Sequence, residues 1–182
     1  MNSDRIRWNK KYLEETHPVQ PSAILKRYHR RAEKGRALDL ACGNGRNALF
    51  LIEQGFKVDA VDISDTGLLY MSKRPEGLNL ICADLDTFDI PAKRYDLILN
   101  IRFLNRRLFP YILEGLAPGG ILIFETYLEE IGRESKAISC RDHLLRPNEL
   151  LHAFIPLRIL YYAEKRENGS GAVASLVGIH SA

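Results

Sequence analysis

Cysteine is sparse in this chain and not grouped: Cys42, Cys82 and Cys140 lie far apart in 182 residues, with no Cys-x-x-Cys pair. An odd, scattered set disfavours both a disulfide framework and a zinc site and fits a reducing cytoplasm. Internal repeats, low-complexity stretches and long linkers are also missing, which argues against a second domain. No run of about eighteen apolar residues occurs, so no membrane-spanning helix is expected. The first residues, Met1-Asn-Ser-Asp-Arg-Ile-Arg-Trp8, place charges where a signal peptide needs an apolar stretch. The expectation is a cytoplasmic protein, neither exported by a standard signal nor held in a membrane. Net charge is small as well, +3, which permits an anionic partner without requiring one.

What is present is ordinary globular composition, 46% apolar and 27% charged residues, in a length that suits one domain with a real core. From Ala37 to about Phe154, short apolar runs alternate with segments of helical period. Strands are predicted at Ala37 to Ala41, Lys57 to Asp62, Leu78 to Cys82, Asp96 to Ile101 and Ile121 to Phe124, with helices filling the gaps. Each run is near-continuously apolar, as a parallel strand covered on both faces should be. Gly55, Pro75 to Gly77 and Pro118-Gly119-Gly120 punctuate the connections. After Tyr127 come a polar loop, a helix around Pro147 to Phe154, and two runs, Arg158 to Lys165 and Ala172 to His180, flanking Glu167-Asn-Gly-Ser-Gly171. Those runs read as a hairpin, adding an antiparallel strand to the sheet. Residues 1 to 35 form a helical segment with an amphipathic helix from Pro21-Ser22 (Ile24, Leu25 and Tyr28 on one side) and are a candidate lid; residues 36 to 182 form the main domain.

In an open parallel sheet a ligand sits beyond the carboxyl ends of the strands, so the residues just past each strand carry the argument. Ala37-Leu-Asp-Leu-Ala-Cys-Gly43-Asn44-Gly45 closes a strand on two glycines and opens into a helix. That turn suits close backbone approach by a ligand, with helix N–H groups facing it. Val58-Asp-Ala-Val-Asp62 ends the next strand on a carboxylate that can accept from ribose hydroxyls. Ile81-Cys-Ala-Asp84-Leu85-Asp86 ends the third, where Asp84 can accept from an exocyclic amine and Leu85 can offer its backbone N–H; the plainer reading of Asp84 is a turn or helix cap. Asn100-Ile-Arg102-Phe103 follows the fourth.

Asp39-Leu-Ala-Cys-Gly-Asn-Gly45, Val61-Asp62, Ala83-Asp84 and Leu116-x-Pro-Gly-Gly120, in this order, resemble the cofactor signature of the class I S-adenosylmethionine-dependent methyltransferases. The match covers roughly Ala37 to Tyr127, and the closing hairpin is consistent with it. Within the class the chain most resembles small bacterial enzymes of the tellurite-resistance and thiopurine methyltransferase type, with Arg46-Asn47 after the glycines. Asn47 stands where many members carry a third glycine. The resemblance implies a Rossmann-like, doubly wound, mostly parallel seven-stranded sheet with a C-terminal antiparallel hairpin, and S-adenosyl-L-methionine as cofactor. It assigns Asp39 to the methionine ammonium, Gly43 and Gly45 to the methionine chain, Asp62 to the ribose, Asp84 and Leu85 to the adenine and Asn100 to the methionine end. Ala41, Asn44 and Ile63 complete the cofactor set.

The glycine spacing also fits a dinucleotide fingerprint, Gly43-x-Gly45-x-x-Ala48. Asp39 so close to a pyrophosphate, and the lack of an evident second nucleotide half, disfavour that alternative. Methyl transfer is a direct displacement in which alignment is the protein's main contribution, and it requires no metal. The acceptor side is expected from Arg102, Asn105, Arg106, Glu125, Thr126 and Tyr127, with Arg102 and Arg106 holding an anion and Glu125 or Tyr127 taking a proton. His143 could reach the site from its loop, although the surface is the commoner place for it. Trp8 and Tyr12 belong to the candidate lid. A small-molecule acceptor leads, in a monomer or homodimer. The alternatives are RNA methylation through Lys26-Arg27-Tyr28-His29-Arg30-Arg31, which otherwise reads as a solvated helix face, and a cofactor-binding module without turnover.

Overall fold

A computed structural model describes residues 2–73, 75–130, 141–167 and 171–181. Five strands run parallel: β1 (Arg36–Leu40), β2 (Lys57–Asp62), β3 (Leu78–Cys82), β4 (Tyr95–Ile101) and β5 (Leu116–Tyr127). β6 (Arg158–Glu167) and β7 (Gly171–Ile179) pair as a hairpin whose second strand lies antiparallel against β5. The seven-stranded sheet has the order β3-β2-β1-β4-β5-β7-β6. The doubly wound fold with an antiparallel closing hairpin is therefore as the sequence suggested. The hairpin's expected turn at 168–170 and Cys140 lie outside the described residues.

The strands read as continuous apolar runs because helices cover both faces. With a period of two, Leu38, Leu40, Ile98 and Leu122 point to one side, packing with Ile112 of α5 (Leu108–Gly115), Leu150 of α6 (Glu149–Ala153) and Phe154. Ala37, Leu97, Leu99, Ile121 and Ile123 point to the other side. There they meet Leu25 of α2 (Ala23–Tyr28) and Ala48 and Leu51 of α3 (Arg46–Glu53).

One local expectation changes, and one helix gains its bounds only in the structure. The β3–β4 connection contains no helix: Asp84 accepts at its carbonyl from the N–H groups of Thr87 and Phe88, and at its side chain from the Asp86 N–H, 2.9 Å away. Asp and Thr side chains that bond the local backbone favour a turn over a helix, and Pro91 bars continuation. Conversely, α1 (Asn2–Glu14) is a full helix that apolar periodicity did not reveal. It is polar almost all round, held by the Asp4–Arg7 and Lys10–Glu14 pairs and by docking onto α4 (Asp65–Leu69), where Asn9 bonds both Asp65 and Ser64.

At the end of β2 away from the glycine turn, the buried Asp59 carboxylate ties four strands together. It accepts from Arg36 of β1 at 3.2 Å, Asn79 of β3 at 3.0 Å and the Tyr95 hydroxyl of β4 at 3.0 Å. Burial, then the neighbouring Asp59 charge, push the Tyr95 phenol up to about 12. Asp59→Ala leaves these donors without their acceptor, so it should lower unfolding free energy by roughly 2 to 3 kcal/mol in urea titrations.

Candidate functional site

The parallel register brings the predicted residues to one edge of the sheet. Leu40 lies beside Val61 and Asn100, Asp62 beside Cys82, and Ile101 beside Glu125. The Ala83 N–H donates to the Asp62 carbonyl, which carries the start of the Asp84 turn to the same edge. Ala41 and Arg102, which follow β1 and β4 there, both adopt left-handed backbone (φ 53° and 60°). That conformation is uncommon for residues with a side chain, and it turns the chain sharply out of each strand.

Asp62 organises the glycine turn. Its Oδ2 accepts from the Gly43 N–H and its Oδ1 from the Ser64 N–H, both at 2.8 Å. Burial raises this carboxyl above its ordinary range, and the backbone donors oppose that shift. An ionised carboxylate offers about four acceptor positions, so the backbone donors leave capacity for ribose hydroxyls. Asp39 lies beneath the turn, almost wholly buried, and its Oδ2 has no hydrogen-bond partner. Burial is the main cause that pushes its carboxyl up to about 8, with Asp62 adding to the shift and Arg46 and the Ala48 N–H opposing it. The ammonium that the resemblance assigns to Asp39 would supply the donor and the positive charge that this oxygen lacks. The residues present fit that group.

The glycines have a second reason. A Cβ on Gly43 would stand 2.1 Å from the Tyr12 hydroxyl, and one on Gly45 1.9 Å from the Met71 sulfur. Part of the room expected for a ligand is thus filled by the chain itself. Tyr12 of α1 lies over the turn, and burial raises its phenol pKa. Trp8 instead stays part-exposed beside Lys11. The next residues hold a strap across the site: Asn44 Nδ2 donates to the Pro18 carbonyl at 2.9 Å, and Arg46 Nη1 to the Gln20 carbonyl at 2.8 Å. Asn47 Oδ1 accepts from the Ser22 N–H at 2.9 Å. Asn47, the departure from a third glycine, here joins α3 to the start of α2.

On the acceptor side the expected residues separate. Glu125 is buried, accepts from the Ser175 hydroxyl at 2.7 Å and pairs with Arg102 at 3.4 Å. Tyr127 is the platform under Arg102, whose guanidinium lies 4.9 Å from the ring centre. Arg106 points elsewhere: it forks onto Glu149, its Nη2 2.9 Å from Oε2, and donates to the Leu144 carbonyl, fastening α6 to the body. Asn105 bonds Asp86, and His143 is exposed in a 3-10 turn. Thr126 is buried and, by strand alternation, faces away from Glu125. Asn100 donates from its amide to the Phe103 carbonyl at 2.7 Å, shaping the turn after β4. Asp84 caps its own turn, Leu85 packs into the core, and Ile63 offers its carbonyl to Arg5 of α1.

Sequence reasoning missed the cavity beside this edge. About 340 Å³ in volume, it is bounded by the Pro18–Ser22 strap, Arg27 and Tyr28 of α2, Arg46, Arg102, Glu125, Tyr161 and Lys165 of β6, and Ser175 of β7. The hairpin residues carried no motif, and Arg27 was read only as part of a basic run. That run is broken in the structure, since the chain passes from α2 into a 3-10 turn and buries His29.

This strand order, with the predicted residues gathered at the switch point, defines a Rossmann-like fold shared with solved S-adenosylmethionine-dependent methyltransferases. The TehB structure from Haemophilus influenzae superposes with a TM-score of 0.69 at 21% identity, covering 97% of this chain and 67% of that one. A Burkholderia thailandensis N1-methyltransferase with bound 1,6-didemethyltoxoflavin and S-adenosylhomocysteine has a TM-score of 0.69 at 16% identity, covering 100% of this chain and 85% of that one. The family model of the tellurite resistance protein TehB matches residues 8–120, and the chain belongs to that family. The Haemophilus influenzae (strain 10810) protein named "Probable S-adenosyl-L-methionine-dependent methyltransferase TehB" is 33% identical over 88 residues, 44% of this chain. The match spans only 30% of that relative's length.

Asp39 yields a pH prediction. Its folded pKa of about 8 lies above the ordinary 3.8, so folding favours the protonated form. The stability this group contributes is complete below pH 3.8 and is lost as pH rises to about 8, with a slope of up to about 1.4 kcal/mol per pH unit. In cofactor-free protein, urea midpoints should fall over that window in the wild type and fall less steeply in Asp39→Asn.

Proposed function

We propose that this chain is an S-adenosylmethionine-dependent methyltransferase acting on a small molecule held in the cavity between the strap, α2 and the β6–β7 hairpin. The observation that carries the reading is the orphaned Asp39 oxygen beneath the glycine turn, at the edge where Arg46, Arg102 and Glu125 open into that cavity. Family membership and the relatives' names support the cofactor. The cavity volume, near the lower end of the range for metabolite sites, favours a small acceptor over a macromolecule.

Asp39 would hold the cofactor's ammonium and Asp62 its ribose hydroxyls, with the Gly43–Gly45 backbone beneath the methionine chain and Asp84 beside the adenine. When bound, S-adenosylmethionine supplies a methyl group activated by positive sulfur, ready for direct displacement by a nucleophile. The chain's contribution is then placement and exclusion of water. Glu125, kept in orientation by Ser175 and Arg102, is the carboxylate that would take the acceptor's proton. Tyr127 acts through Arg102 as a positioning residue. The α1 helix is a lid in this reading. Tyr12 covers the turn, while Arg5 reaches the Ile63 carbonyl at 3.1 Å and Asn9 bonds Ser64 beside the ribose carboxylate.

Calorimetry with S-adenosylhomocysteine tests the cofactor site: the wild type binds, and Asp62→Ala weakens binding by about 1 to 3 kcal/mol through loss of a charged acceptor. Absence of binding, or full affinity in the variant, would sink this placement. For the lid, a double Arg5→Ala, Asn9→Ala variant should release S-adenosylhomocysteine faster in stopped-flow traces. An unchanged rate would show that α1 does not gate the site.

A further inference from the structure

The cavity holds an excess of positive charge. Arg27, Arg46, Arg102 and Lys165 line it, and Glu125 is the only acidic residue among the described lining residues. Glu125 is engaged by Arg102 and Ser175, and Arg46 is bonded to the Gln20 carbonyl. Burial lowers the pKa of Arg46, and the nearby Arg102 charge lowers it further. The Asp39 and Glu125 carboxylates oppose that lowering, and Arg46 and Arg102 share the field of Glu125. Arg27 is different: among the described residues it makes neither a hydrogen bond nor an ion pair. Its guanidinium lies 5.1 Å from the Tyr28 ring centre and 5.6 Å from that of Tyr161, which themselves pack 5.4 Å apart. A guanidinium laid on ring faces keeps its edge N–H groups available for a bidentate anion. A second group also lacks a partner, for Ser22 lines the cavity and its buried hydroxyl has none.

Part of the wall is apolar. Pro18, Pro21 and Ile24 join the two tyrosines, a surface that a bare inorganic oxyanion would leave unused in about 340 Å³. Resting on the reading of this cavity as the acceptor site, we propose that the acceptor is an organic carboxylate with a flat apolar body. Arg27 holds the carboxylate, and the body lies against Tyr28 and Tyr161. The methyl-accepting atom is directed toward Glu125.

Binding can be read without turnover, with benzoate, its neutral analogue benzamide and inorganic phosphate as probes. The full chain is titrated at fixed ionic strength by ligand-observed NMR, with and without S-adenosylhomocysteine. Benzoate should bind about tenfold or more tightly than benzamide, as expected for a charge-assisted contact, and more tightly than phosphate. Arg27→Gln, an exposed helical position, should erase the preference over benzamide, and Arg27→Lys should restore part of it. Equal binding of benzoate and benzamide, phosphate binding as tight as benzoate, or wild-type benzoate affinity in Arg27→Gln would each overturn the proposal. Failure of S-adenosylhomocysteine to bind would count against the cofactor reading instead, and the cofactor-free benzoate titration does not depend on that result.

Discussion

The bond from the Gly43 N–H to the Asp62 carboxylate is the constraint on which the site depends. It fixes the glycine turn after β1 to the end of β2, and the Ser64 N–H on the other carboxylate oxygen orients the start of α4. Around this point the sheet reverses its direction of growth. β1 lies between β2 and β4, and its flanking connections leave a crevice that no crossover fills. The same carboxylate that would face a ribose therefore also holds the loop in place. In the proposed reading, structure and ligand recognition share one side chain, and a replacement there disturbs both.

The segment Asn44-Gly-Arg-Asn47 extends that constraint outward. Its three polar side chains bond the chain at Pro18, Gln20 and Ser22, so the turn that underlies the proposed cofactor site also fastens the strap that walls the cavity. The two subsites are mechanically continuous. Arg46 links them electrically as well, lying within range of Asp39 on one side and of Arg102 and Glu125 on the other. A change of charge at either subsite is felt by this guanidinium.

Much of the fold was legible because buried parallel strands leave near-continuous apolar runs, and Gly55 punctuates them; Pro118-Gly119-Gly120, read as a connection, lies instead within β5 at a register shift. Asp39, Asp62, Asn100 and Glu125 stood out as candidates for a related reason: they lie in the carboxyl-terminal parts of β1, β2, β4 and β5, the edge at which such sheets bind ligands. The residues that escaped lie where position along the chain says nothing about neighbours. Tyr161 and Ser175 come from a hairpin whose pattern reports only strand alternation, and Arg27 was hidden in a basic run. Arg106 was grouped with Arg102 because both follow β4, whereas Glu149, 43 residues later, captures it. A helical segment was expected over residues 1 to 35, but the bounds of α1 were not legible, because its stability comes from docking and side-chain pairs, which leave no apolar stripe.

The sequence by itself determined the α/β alternation, the acidic strand ends and the glycine turn, since each follows from local propensity, periodicity or backbone freedom. Only the tertiary structure decided that Tyr12 and Met71 fill the space beside the two glycines, that one Asp39 oxygen is left without a partner, and that Arg27 faces a cavity with the Tyr28–Tyr161 pair. Those are contacts between distant segments, fixed by sheet register and strap geometry. Burial and partnership, which set the charge state of Asp39 and the freedom of Arg27, exist only once the chain has closed around them.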